Sequence, residues 1–481
     1  MVGVPGRSKA CVTCLKRKKR CDLEKPFCGT CRKARVECGG YHRPRIFINN
    51  TVENHSQQLV RKDRDVSTNI STSTDTDITA GDRPLLAANV TLPPALAHSA
   101  YQTKYMDLFW RIYLPNGQAL SPEVTQIALG GWIDAIIDLH ASETVLQKAL
   151  LAMSVSAVGR QENNRFLKEE GRRLYTSSLQ GLAMALKDPR RATSDAILTA
   201  IRLSSFYESV FGQNDGEVQQ ARAWQAHNAG DVALITSRSP YSFMTGHAHE
   251  LFADGRANLT MSHLRQRKRC FLAEPEWKTI PWLQQEKTPR DHLMDVLLDL
   301  TGLFEDLDLM KINPDPLDKK LARQQLIDGF LQMHQDLLTW ELMHAPNFEP
   351  PRQTPATVRP HEIAGSHLMT TFWATVIVVA SNLDSLHEPG FGVNLGVNLD
   401  LYCSNIVHTF LLFIHPSLGL FRTHMSTYPM TVALHYICAA GPKRLVEERR
   451  ILADCLYDPA LAGVRQFIVS MKDDRPLEFL D

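Results

Sequence analysis

From about residue 100 onward, apolar positions recur at steps of three and four. SETVLQKALLAMSVSAVG sets Val145, Leu146, Ala149, Leu150 and Met153 along one stripe, with Ser142 placed to cap the helix this pattern predicts. SDAILTAIRLSSFYESVFG repeats the rhythm from Ser194 through Ile197, Ile201 and Phe206 and stops before Gly212. HLMDVLLDLTGLFEDLDLM and NIVHTFLLFIH are of the same kind, and loops containing Pro or Gly separate them. Neither sustained strand alternation nor a strand-helix rhythm is present. Residues 98–481 are therefore expected to form a large all-α domain. Their longest apolar window, FWATVIVVA from Phe372 to Ala380, is far short of a membrane span, and no membrane partner is expected.

Upstream the pattern changes. Residues 49–97 include STNISTSTDTDITAGDRP, rich in Ser, Thr and Asp with almost nothing to bury, and read as a flexible linker. Val52, Leu59 and Val66 fall seven apart, yet the positions that would complete a coiled-coil seam, near His55 and Lys62, are polar. Residues 1–48 hold too few apolar side chains for a core of their own. MVGVPGRSKA carries no signal-peptide stretch, so the chain reads as soluble and intracellular, where thiols stay reduced.

Charge sharpens the division. The net charge of +1 hides thirteen Lys or Arg against three Asp or Glu in residues 1–48, and 40 against 49 in the remainder. A basic head on an acidic body suggests that the head alone meets a polyanion.

That head also concentrates sulfur. Six of the ten cysteines lie in CVTCLKRKKRCDLEKPFCGTCRKARVEC, and CVTCLKRKKRC and CGTCRKARVEC repeat the spacing C-x2-C-x6-C seventeen residues apart. Structural zinc takes four tetrahedral ligands and favours thiolates. Six are too many for one ion, and two separate ions need eight. Two zinc ions sharing two sulfurs need six, which fits the repeat. The alternative is one four-cysteine zinc held by the two C-x2-C pairs, which leaves Cys21 and Cys38 without a role. A redox C-x2-C lacks the strand-helix-strand context it needs. Metal binding would itself supply the folding free energy, on the order of 10 kcal/mol.

This spacing, C-x2-C-x6-C-x6-C-x2-C-x6-C, with its basic run, its "CD" and a Pro between the halves, resembles the fungal zinc binuclear cluster transcription factors. The resemblance implies two short helices and two Zn2+ ions, with Cys11 and Cys28 bridging. Cys14 and Cys21 then complete one coordination sphere, Cys31 and Cys38 the other, and Pro26 joins the halves. The first half carries Lys16, Arg17, Lys18, Lys19 and Arg20, and is the better candidate to enter a major groove, where Lys or Arg donates to guanine. The family implies that Lys18 contacts a CGG triplet, assisted by Arg17. Phosphate contacts fall to Lys16, Lys19 and Arg20, with Arg43 and Arg45 in reserve. The bland reading is a solvated face or a nuclear-import signal alone.

SDAILTAIRLSSFYESVFG, ARAWQAHNAGDVALITSRSP and GHAHELFADGRANL resemble the fungal-specific transcription factor domain, whose implied role is regulatory. Trp224, His227, Leu234, Leu251 and Phe252 also read as ordinary core positions. No H-E-x-x-H, G-x-S-x-G or P-loop is present, and GFGVNLG lacks the dinucleotide spacing. His247 and His249 lack matching metal partners, and Cys270, Cys403, Cys438 and Cys455, scattered without ligand spacing, read as buried or inert. HLRQRKRC is a solvated loop or a second import signal, and DDRPLEFLD has the mix of activation segments. Together these point to a nuclear, DNA-binding regulator of RNA polymerase II genes rather than an enzyme. Its expected partners are double-stranded DNA, the transcription machinery or co-regulators and a second copy of itself. Pathway control, such as that of a secondary-metabolite gene cluster, follows from the family alone. An enzyme or scaffold with a zinc-bound targeting module is the alternative.

Overall fold

The computed structural model describes residues 10–24, 28–36, 38, 94–121, 124–125, 131–212, 217–387 and 395–474. The expected linker up to residue 93, its heptad positions, Pro26, Arg43 and Arg45 lie outside them. So do most of GFGVNLG and of the acidic-apolar tail. The chain divides into two units, Met1–Ala88 and Asn89–Asp481.

In the first unit, two five-residue helices, Val12–Lys16 and Gly29–Lys33, each begin one residue after a cysteine. The buried groups packed at its centre are Cys11, Cys14, Cys28 and Cys31, so sulfur stands where apolar side chains would form a core.

Every regular element among the second unit's described residues is a helix. Helix Thr144–Gln161 is buried along most of its length and lies against Arg165–Ala185. Close approach there demands glycine: a Cβ on Gly171 would sit 2.1 Å from Ser156 Oγ, and one on Gly159 would sit 2.8 Å from the Lys168 nitrogen. The cap of Thr144–Gln161 corrects the sequence reading. Glu143, not Ser142, accepts the Val145 N–H, at 3.1 Å. The Ser142 hydroxyl is already spent on the Leu139 carbonyl, 2.7 Å away, closing the preceding helix Gly131–Leu139. Ser194 does cap Asp195–Phe211, accepting from Ile197, and Gly212 ends that helix.

Further helices start on comparable devices. Thr288 and Asp291 form a reciprocal capping box ahead of Pro289–Ile312, with Pro at the first turn where a missing N–H costs nothing. Asp315 accepts from Leu317 and Asp318 at the start of Pro316–His344. Helix Pro360–Leu386 is longer than its apolar window suggested, and is apolar enough to pass a length test for a membrane span. It is almost wholly buried, and serves as a core helix.

Charged side chains enter this core in pairs. Arg256 is 1% exposed and bonds Asp295, with Asp291 at 3.5 Å. Arg290 lies 2.5 Å from Asp254. Such pairing offsets a desolvation cost that an isolated ion could not bear. Of the dispersed cysteines, Cys270, Cys403 and Cys455 are buried, but Cys438 is exposed, being near the end of helix Arg422–Ala439.

Candidate metal centre and nucleic-acid interface

The seventeen-residue repeat is a repeat of conformation. The Cys14 N–H donates to Cys11 Sγ at 3.3 Å, and the Cys31 N–H to Cys28 Sγ at 3.2 Å. The Cys11 N–H donates to Cys21 Sγ and the Cys28 N–H to Cys38 Sγ, both at 3.4 Å. Each helix ends in the same turn. Lys19 N–H reaches the Cys14 carbonyl at 3.0 Å and Val36 N–H the Cys31 carbonyl at 3.1 Å. Lys18 and Arg35, the preceding residues, both have φ 52°. A left-handed residue in that place usually is glycine, because a side chain costs ~1 kcal/mol there.

The six thiols gather into two overlapping tetrads. Cys11, Cys14, Cys21 and Cys28 form one, and Cys11, Cys28, Cys31 and Cys38 the other, each with all Sγ atoms within 4.8 Å of one another. Cys11 and Cys28 belong to both. Their sulfurs are 3.5 Å apart, Cys14 lies 3.6 Å from Cys28, and Cys11 lies 3.7 Å from Cys31. Tetrahedral zinc with bonds of ~2.3 Å sets its sulfurs about 3.8 Å apart, so the donor set and spacing suit that metal. Burial pushes the Cys14 thiol up to about 12 and that of Cys28 higher still. A cation is what such a centre requires to hold thiolates. Among the described residues no other group of His, Cys, Asp or Glu gathers in this way. His247 is engaged with Glu250 and Asp138, and His249 Nδ1 with the Phe243 carbonyl.

One residue of the head carries a role that sequence reasoning noted only as part of a motif. Asp22 Oδ1 accepts the Gly29 N–H at 3.0 Å and the Glu24 N–H at 3.3 Å, while Oδ2 accepts the Thr30 hydroxyl at 3.2 Å. Burial works against its ionisation, but these donors outweigh it and hold the carboxyl below its usual value. The acid thus ties the end of one repeat to the helix start of the other. Its spacing from Cys28, six residues ahead of a C-x2-C helix, was the available signal.

Lys16, Arg17, Lys18, Lys19 and Arg20 are all exposed, and among the described residues none makes an ion pair or side-chain hydrogen bond. In the second repeat Arg32 pairs with Glu24 at 3.1 Å. The cationic surface of the first repeat is therefore unspent, and that of the second is partly neutralised.

The second basic run is spent. Lys268 pairs with Glu305 at 3.1 Å, Arg269 with Asp306 at 2.9 Å and Arg267 with Asp308 at 2.8 Å. HLRQRKRC is thus a clasp onto helix Pro289–Ile312. In the body, Trp224, Leu251 and Phe252 are buried. His227 and Leu234 are half-buried, and His227 Nε2 lies 2.9 Å from the Tyr175 hydroxyl.

Thiols gathered at metal-ligand spacing thus share this unit with a run of exposed cations that are unpaired among the described residues. Residues 9–45 match the fungal Zn(2)-Cys(6) binuclear cluster domain, and residues 117–271 match the fungal specific transcription factor domain. The two matches lie in that order along the chain. It is 25% identical to an uncharacterized protein of Emericella nidulans over 199 residues, 41% of each chain. It is 35% identical to sterol uptake control protein 2 of Candida albicans over 92 residues, 18% of this chain and 12% of that one. The chain thus spans less than half the length of either relative. No solved structure matches it significantly.

Proposed function

We propose that this protein is a sequence-specific transcription factor of RNA polymerase II genes, held in the DNA-binding state by two zinc ions. The observation that carries this reading is the pair of cysteine tetrads sharing Cys11 and Cys28, with five exposed cations in the same unit that are unpaired among the described residues. Cys14 and Cys21 complete one coordination sphere, and Cys31 and Cys38 the other. Zinc supplies the cross-link that fixes both short helices, in place of an apolar core.

The first repeat then enters the major groove. Lys18 donates to guanine O6 and N7 of a CGG-type triplet, with Arg17 beside it. Lys16, Lys19 and Arg20 hold the phosphates that set register. The division matches the electrostatics, since Glu24 already occupies Arg32 of the other repeat. A nuclear location, contacts with co-regulators, a homodimer on paired triplets and control of one pathway complete the proposal.

The test is binding of the zinc-loaded chain to duplexes with and without CGG triplets, alongside metal analysis. Two zincs per chain and a preference for CGG are expected. With about five phosphates neutralised, by Lys16, Lys19 and Arg20 and by Arg43 and Arg45, the log–log salt slope should be roughly −4 to −5. One zinc per chain, or equal affinity for all duplexes, would refute the assignment.

A further inference from the structure

We propose that the helical body holds a small-molecule site, a cavity that takes a flat, uncharged aromatic compound bearing a hydroxyl group. The cavity measures about 250 Å³. Trp132 and Phe206 on its wall belong to the segment matched to the transcription factor domain, whereas His367 and His424 lie beyond it. A ligand there would join two parts of the body that are far apart in sequence.

The shape of the wall selects a ring. Phe206 and His424 stack with centroids 4.3 Å apart and planes 26° from parallel. Trp132 stands 6.3 Å from Phe206 and 6.1 Å from His424. Tyr113 stands nearly perpendicular to all three, with centroids 5.6 to 5.9 Å away. Aromatic faces set around a void favour a planar guest, through dispersion and edge-to-face contact. An apolar cavity of ~150 Å³ is enough for benzene, so this one has room for two fused rings.

Of the three arginines in the lining, Arg202 and Arg290 are already matched by carboxylates. Arg290 Nη1 donates to Asp254 at 2.5 Å, and the Arg202 guanidinium reaches both oxygens of Asp231, at 2.9 and 3.1 Å. Burial first, then Arg290, holds the His367 imidazole down to about 3, and burial holds that of His424 down to about 4. Both rings are neutral near pH 7. A carboxylate entering here would lose its hydration without gaining a free cation from these pairs. Among the described residues, His367 Nδ1 and His424 Nε2 have no hydrogen-bond partner. A hydroxyl on the guest supplies one without displacing a protein group.

The site stands apart from the DNA-binding reading, and its test does not use DNA. The zinc-loaded full chain is titrated with 2-naphthol, naphthalene and 2-naphthoate, following calorimetry and thermal unfolding. One 2-naphthol per chain, a raised Tm and at least tenfold weaker binding of 2-naphthoate are expected. Ala257 also faces the cavity. Ala257→Phe should fill it, leaving Tm equal or higher while weakening 2-naphthol at least tenfold. Ser209→Leu, at another lining position, makes the same test if Ala257→Phe does not fold. His424→Leu should erase the preference for 2-naphthol over naphthalene. No saturable binding by the folded chain, equal binding of 2-naphthoate, or binding indifferent to the filling substitutions would overturn the proposal.

Discussion

Asp22 Oδ1 lies 3.0 Å from the backbone nitrogen of Gly29, so the acid that follows one cysteine repeat caps the helix of the other. The bond needs glycine at 29, because a Cβ there would sit 2.7 Å from Asp22 Oδ2. Gly29 directly follows Cys28, a thiol common to both tetrads. Asp22→Ala should therefore loosen the cluster without removing a ligand. Zinc affinity, followed by competition with a chromogenic chelator, should fall roughly tenfold, as when other groups that orient ligands are lost. Asp22→Asn keeps an acceptor and should recover most of it. A chelator profile unchanged by Asp22→Ala would show that the cap is idle.

Lys18 combines an exposed side chain with a left-handed backbone, φ 52°. These two properties can be separated. Lys18→Gly should relieve about 0.5–1 kcal/mol of backbone strain and make the cluster harder to unfold. It should also abolish preference for CGG over scrambled duplexes. Lys18→Ala should lose the same preference with stability near that of the native chain. Lys19→Ala should weaken all duplexes alike and lower the salt slope by about 1. Retained preference in Lys18→Gly would move base reading to another side chain.

Local signals account for what the sequence made legible. Cysteine spacing is short-range and period-locked, so C-x2-C-x6-C maps directly onto the tetrads. Ser194, the Gly212 stop and the stripe from Val145 to Met153 are likewise read within one or two helical turns. The errors have two causes, a local competitor for a hydroxyl and partners distant in sequence. Ser142 has the composition of a cap, but the Leu139 carbonyl takes its hydroxyl. RKR at 267–269 looks like an exposed charge run until Glu305, Asp306 and Asp308 come to meet it. Nothing periodic announces that Trp132, Phe206 and His424 share a wall, since their contacts span 74, 218 and 292 residues.

The clasp at 267–269 predicts unequal effects. Lys268 and Arg269 are more than half exposed, and solvent screens their ion pairs. Lys268→Ala and Arg269→Ala should each cost under ~1 kcal/mol in chemical denaturation. Arg267 is 14% exposed and its guanidinium also lies 4.5 Å over the Phe304 ring. Arg267→Ala should cost more, about 1–2 kcal/mol. Nuclear distribution of a fluorescent fusion should be indifferent to Lys268→Ala with Arg269→Ala, and should fail when Lys16 to Arg20 are replaced. Loss of nuclear signal from the first pair would restore an import role to this run.

His227 gives the body an acid-sensitive joint. The Tyr175 hydroxyl donates to Glu208 Oε1 at 2.7 Å, so at 2.9 Å it accepts from His227 Nε2. Burial lowers the imidazole to about 4, from about 6.5 in an unfolded chain. Between those values the unfolded state binds the proton and the folded state does not. The stabilisation from neutral His227 is therefore complete above pH 6.5 and drains away as pH falls toward 4. The slope is at most about 1.4 kcal/mol per pH unit. His227→Gln retains a donor for Tyr175 and does not titrate, so the acid limb of Tm against pH should become shallower while Tm at pH 7.5 changes little. Parallel acid limbs for the two proteins would mean that His227 gains its proton without unfolding the body.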